Sequence, residues 1–96
     1  MKVRFTEQAR RQFLSLLEHI RRDKPAGAAR FRQRVERTLR RLERFPESGS
    51  RLPEFPGLPY REVILTPYRF FYRVEKQTVW IVAVWHDAQL PDTPSR

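Results

Sequence analysis

Apolar positions are densest between residues 60 and 86, where the chain reads YREVILTPYRFFYRVEKQTVWIVAVWH. Three short runs rich in Val, Ile, Phe, Tyr and Trp follow one another with only a few residues between them. Such runs favour a pleated, half-buried surface, and their spacing predicts an antiparallel three-stranded meander. The strands are expected near 61–65, 68–74 and 78–86. Thr66-Pro67 separates the first two, since proline cannot donate a ladder hydrogen bond. Glu75-Lys76-Gln77 turns the chain between the second and third, without the Gly or Asn that tight hairpins favour. Strict alternation along the last strand puts Val79, Ile81, Ala83 and Trp85 on one face, and Trp80, Val82, Val84 and His86 on the other. Both faces are apolar, so this strand is expected in the sheet interior, covered twice.

The first half carries helical spacing instead. Lys2-Val3-Arg4-Phe5 alternates and reads as a short strand. Thr6 can cap a helix, with Glu7 in its first turn. Ala9, Phe13, Leu16, Leu17 and Ile20 then form one apolar face, and the helix ends near Arg22 or Asp23. Pro25 suits the first turn of a second helix, whose apolar stripe is Ala28, Phe31, Val35, Leu39 and Leu42. Arg30, Arg34, Arg37, Arg41 and Arg44 form a second stripe, about 140° around the axis from the first. A short connection and matched apolar faces predict an antiparallel helical hairpin lying across the sheet. Pro46, Pro53, Pro56 and Pro59 punctuate an ordered connection that carries Leu52, Phe55 and Leu58 as anchors. A frayed tail is expected over 91–96. The fold class is therefore α+β, in the order β-α-α-β-β-β, as one domain over residues 1–96. The second sheet face must be covered by the Pro-rich connection, the tail, another copy or a partner chain.

Composition narrows the chemistry. The chain has 96 residues and no cysteine, which excludes disulfides, thiolate catalysis and Cys-based metal sites. Only His19 and His86 remain as soft ligands, so neither a metal nor a cofactor is expected. No apolar run is long enough to span a membrane, and the N-terminus lacks the apolar segment of a signal peptide. A cytoplasmic protein without membrane contact is expected. The net charge of +9 lies wholly in the first half, where residues 1–45 hold 14 Lys/Arg against 5 Asp/Glu. Residues 46–96 hold 6 of each. This asymmetry points to an acidic partner, or else to a solvated arginine-rich surface.

The element order and several local signatures together resemble the RelE/ParE superfamily of bacterial type II toxin–antitoxin toxins. The signatures are Phe45-Pro46-Glu47 with Gly49, Pro53-Glu54, Tyr60-Arg61-Glu62, Pro67-Tyr68-Arg69, Phe71-Tyr72-Arg73-Val74, and Ile81-Val82 leading to Val84-Trp85-His86. The resemblance runs from Val3 to about Pro91. It implies a toxin neutralised in a hetero-oligomer by a cognate antitoxin wrapped around it. The branches differ in target: ParE-like members poison DNA gyrase without being nucleases, and RelE-like members cleave mRNA on the ribosome. The Pro-Glu, Tyr-Arg-Glu and Tyr-Arg-Val pattern is closer to ParE. The stretch His86-Asp87-Ala88-Gln89 departs from the glycine and arginines common there.

Metal-free RNA cleavage needs a base, an acid and a cation to stabilise the phosphate. Under the RelE-like alternative the resemblance assigns the cation to Arg69. His86 would serve as acid or base, Glu62 as base and Arg61 as second cation, with Tyr68 or Trp85 stacking a nucleobase. The plainer expectation is that Arg69 and Arg73 pair with Glu62 and Glu75. His86 then makes a structural hydrogen bond, and His19 is an exposed bystander. Trp80 and Trp85, with the five-arginine stripe, are the candidate surface for antitoxin or nucleic acid. The electrically neutral sheet half disfavours a nuclease, which depends on a dense basic cluster.

Overall fold

The computed structural model describes residues 1–87; the expected frayed tail lies outside the described residues. The elements are β1 (Lys2–Phe5), α1 (Glu7–Asp23), α2 (Pro25–Arg44), β2 (Ser50–Arg51), β3 (Arg61–Leu65), β4 (Tyr68–Glu75) and β5 (Thr78–His86). The helical hairpin and the β3-β4-β5 meander fall where the patterning put them. Thr6 caps α1 as expected, its hydroxyl accepting from the Ala9 N–H at 3.2 Å. Pro25 opens α2, where a missing N–H costs nothing. No helix among the described residues is long and apolar enough to cross a membrane.

Two features go beyond the expected order. The sheet runs β1-β5-β4-β3-β2, and β1 lies parallel to β5, so the sheet is mixed rather than purely antiparallel. The hairpin carries the chain from β1 to β2 at the opposite edge, and the strands that follow bring it back to β5 beside β1, which gives the long connection a parallel pair requires. The short strand β2, unmarked by any apolar run, pairs Ser50 with Glu62 and Arg51 with Arg61. Strand β5 is interior, between β1 and β4, as its doubly apolar pattern requires.

The expected alternation along β5 needs a correction. Phe71 sits opposite Ala83, but Tyr72 sits opposite Ile81, so Val82 is an extra residue in a β-bulge. Beyond it the faces exchange. Val79, Ile81 and Val84 belong to the helix-side core with Leu16, Phe31, Val35, Leu42, Phe70 and Tyr72. Val82 and Ala83 join Leu52 and Phe71 on the outer face, with Phe55, Tyr60, Trp80 and Trp85 packed around them. The Pro-rich connection therefore supplies cover for the outer face, and Leu52 is almost wholly buried. Each face thus has its own apolar cluster, which suits a small domain with limited interior volume.

Candidate functional site

Side-chain direction along β3 and β4 sorts the polar candidates. Tyr68, Phe70 and Tyr72 face the helices, so Arg69, Phe71 and Arg73 face outward. Glu62 lies opposite Phe71 and therefore shares the outer face with Arg69. The Arg69 Nε donates to Glu62 Oε1 at 2.7 Å. Its Nη2 lies 3.0 and 2.9 Å from the two oxygens of Glu54, which descends from the Pro-rich connection. The guanidinium also stands over the Phe71 ring at 4.9 Å. Arg69 and Glu62 are both buried. Burial works against the charge on Arg69, yet hydrogen bonds to Glu54 and Glu62 outweigh it and raise its pKa. The hydrogen bond from Arg69 holds the Glu54 carboxyl below its ordinary value. A cation already shared by two carboxylates has little left for a phosphate, which those same carboxylates would repel.

A second network fixes the loop after α2. The Tyr72 hydroxyl donates to Pro46 O at 2.8 Å and accepts from the Gly49 N–H at 2.9 Å. Burial raises the Tyr72 pKa, so the phenol stays protonated and available as donor. Arg61 Nη1 donates to Gly49 O at 2.9 Å. A Cβ on Gly49 would lie 2.6 Å from the Tyr72 oxygen and 2.7 Å from the Glu62 carbonyl, so only glycine fits. The Phe-Pro-Glu-x-Gly, Tyr-Arg-Glu and Phe-Tyr-Arg signatures thus meet in one structural clasp.

His86 lies elsewhere. It is opposite Tyr68 on the helix side, the ring centroids 5.4 Å apart and nearly perpendicular. With Arg11, Gln12, Ser15 and His19 it lines an open groove of about 570 Å³ between α1 and the end of β5. There the Gln12 side chain accepts from the Val84 N–H at 2.8 Å, where β1 has already ended. The structure therefore brings Arg69 and Glu62 together but leaves His86 on the opposite face and Arg61 at the loop clasp. Trp85 packs on Phe71 with centroids 5.0 Å apart, and it and Trp80 are half-buried on the outer face.

Sequence reading gave no role to Glu54, Gln12 or Arg11. Glu54 stands in a quoted signature, but nothing local says that it reaches Arg69. Gln12 sits near the apolar face of α1, a weak signal that its amide has a buried partner. His19 is exposed, as expected, although it lines the groove. Arg73 approaches Glu75 at 3.3 Å along the same strand. Among the described residues no three His, Cys, Asp or Glu side chains are grouped as metal ligands.

The arginine stripe of α2 flanks β3. Arg34, Arg37 and Arg41, with Thr38 and Leu65, line a depression of about 260 Å³. Arg34 donates to Thr66 O and Arg41 to Ser48 Oγ, each at 3.3 Å.

A helical hairpin over a five-stranded sheet whose signature residues clasp the loop after α2 defines the small RelE/ParE-like toxin class. The chain matches, over residues 3–91, the family of the ParE toxin of the type II toxin–antitoxin system parDE. It belongs to that family and is a type II toxin. Among solved structures it is similar to a chain of the chromosomal ParDE system from P. aeruginosa, at 19% identity and a TM-score of 0.71. That match covers 90% of this chain and 95% of the other. It is also similar to a chain of the RelBE2 toxin–antitoxin complex from Mycobacterium tuberculosis, at 28% identity and a TM-score of 0.62, covering 92% of each. No curated protein matches.

Proposed function

We propose that this toxin acts as a ParE-like inhibitor of DNA gyrase, held inactive by a cognate antitoxin in the cytoplasm. The observation that carries the reading is the separation of Arg69 from His86. The expected cation is locked between Glu54 and Glu62 on the outer face, and the expected acid or base lies on the helix face. A set split across a sheet cannot engage one phosphodiester, which favours inhibition by binding. The ParE family match supports the same branch. Both structural neighbours come from toxin–antitoxin systems, which supports an antitoxin partner here. The half-buried Trp80 and Trp85 give that partner an apolar contact on the outer face.

The second reading, ribosome-dependent mRNA cleavage, draws on the groove where His86, His19 and Arg11 converge. Supercoiling and cleavage assays with purified gyrase separate the two. Blocked supercoiling or trapped cleaved DNA is expected. Folded toxin that leaves gyrase untouched but cuts ribosome-bound mRNA would reverse the assignment.

A further inference from the structure

Most helix arginines outside one face of α2 are paired; Arg10 on α1 and Arg40 at the edge of that face are the exceptions and form no ion pair among the described residues. On α1, Arg11 pairs with Glu7, while Arg21 and Arg22 pair with Glu18; on the far side of α2, Arg32 pairs with Glu36. The α2 stripe differs. Arg30, Arg34, Arg37, Arg41 and Arg44 form no ion pair among the described residues, and what holds them is neutral. Arg34 bonds a carbonyl oxygen and stands over the Phe31 ring at 5.8 Å. Arg41 bonds the Ser48 hydroxyl through Nε. Arg44 stands over the Phe45 ring at 5.6 Å. Glu36 and Glu43, the only acids on α2, lie about 120° and 140° round the axis from the midline of the stripe.

We propose that this face of α2 is a sequence-independent contact for the phosphate backbone of nucleic acid. A merely solvated helix face would mix signs, as the other helix faces do. Here the positive charge is segregated, and several guanidiniums are oriented by contacts that leave their charge uncompensated. The stripe spans fifteen residues, a rise of about 21 Å from first to last, so it can follow several successive phosphates. Of the 20 cationic side chains in the chain, 17 are arginine, whose planar fork suits phosphate oxygens. Past the loop clasp Arg51, Arg61 and Arg73 share a depression with Glu47, and Arg73 pairs with Glu75, so the segregated positive charge is confined to α2. The stripe offers no large apolar side chain apart from the exposed Phe45 at its end, so it lacks the anchor a tight protein interface needs. That favours a polyanion over an acidic protein segment. The inference does not rest on gyrase as the target.

The test is fluorescence anisotropy of the full chain with an arbitrary duplex of about 20 base pairs, a matching single strand and an RNA hairpin, titrated with salt. Engaging about four phosphates gives a log–log salt slope near −4, and at least about a hundredfold loss of affinity between about 50 and about 200 mM salt. Arg30→Gln with Arg37→Gln removes two guanidiniums that make no bond within the described residues. This pair is expected to lower the slope by about two for at least one of the three nucleic acids. Arg21→Gln with Arg22→Gln makes the same change in net charge on α1 and is expected to alter the slope far less. Equal losses from the two pairs would reduce the effect to net charge and overturn the proposal, as would an unchanged slope in the α2 variant. Loss of antitoxin affinity with nucleic-acid binding intact would reassign the face to a protein partner. A variant that loses nucleic acid yet still blocks supercoiling would uphold this contact and leave the gyrase reading standing.

Discussion

At the residue scale one buried arginine ties the outer sheet face together. Arg69 serves two carboxylates, and removing it leaves Glu62 buried without its cation. Arg69→Met is expected to cost about 3 kcal/mol or more of folding stability, read from urea unfolding. Adding Glu54→Gln and Glu62→Gln to that variant should return part of the loss, because no uncompensated charge then remains. The same network sets a pH dependence. The folded-state pKa of Glu54 is depressed by its hydrogen bond to Arg69. Its contribution is therefore fully present above the ordinary glutamate pKa of about 4.3 and lost as pH falls through its own lower value. Glu54→Gln should flatten the acid limb of the stability curve, and an unchanged limb would show that the pair contributes nothing there. Gly49 is constrained by space rather than by backbone angle. Gly49→Ala should destabilise by about 1–3 kcal/mol as the Tyr72 ring or the Glu62 backbone is displaced.

At the element scale, the turn between β4 and β5 departs from the usual chemistry of tight hairpins. Glu75 pairs with Thr78, leaving Lys76 and Gln77 to turn the chain, and Lys76 takes φ 57°. A side chain there meets the left-handed steric cost, offset in glycine by its greater loss of freedom on folding. Lys76→Gly is expected to raise the thermal midpoint, by a stabilisation of a few tenths to about 1 kcal/mol. A fall instead would mean that the lysine makes a compensating contact. The bulge at Val82 is the other element-level device. It moves Val84 to the helix-side core and turns Ala83 and Trp85 outward, so the end of β5 carries a different face to each side than simple alternation allows.

At the scale of the whole molecule, charge and shape divide the labour. The sheet supplies a rigid platform with a carboxylate-neutralised outer face. The hairpin carries most of the excess positive charge, and more of it on α2, which flanks β3, than on α1. His86 offers the clearest whole-molecule discrimination between the two readings of function, since its ring is exposed and its replacement should leave the core intact. His86→Ala is expected to keep gyrase inhibition within about twofold of the parent protein. General acid–base catalysis is worth roughly 100-fold or more. A loss of that size in toxicity, with the fold preserved, would favour the nuclease reading and bring the groove with His19 and Arg11 forward as its site.

What was legible in the sequence is what short-range physics controls. Period 3.6 and period 2 gave the helices and the three long strands. Thr6, Pro25 and Pro67 marked boundaries through hydrogen-bonding capacity and fixed φ. The arginine stripe followed from helical phase alone. What the sequence could not reveal depends on pairs far apart in the chain. Nothing local to Glu54 says that it meets Arg69, fifteen residues on. Nothing local to Lys2–Phe5 says that it lies parallel to β5, because β1 reaches that neighbour only once the hairpin has packed. The composition of β5 predicts unbroken alternation, since a bulge is set by packing across strands and leaves no mark on the strand's own residues. That single extra residue, with the return of the Pro-rich connection over the outer face, decided which side chains share a surface. It was therefore tertiary packing that joined Arg69 to two carboxylates and set His86 on the other side of the sheet.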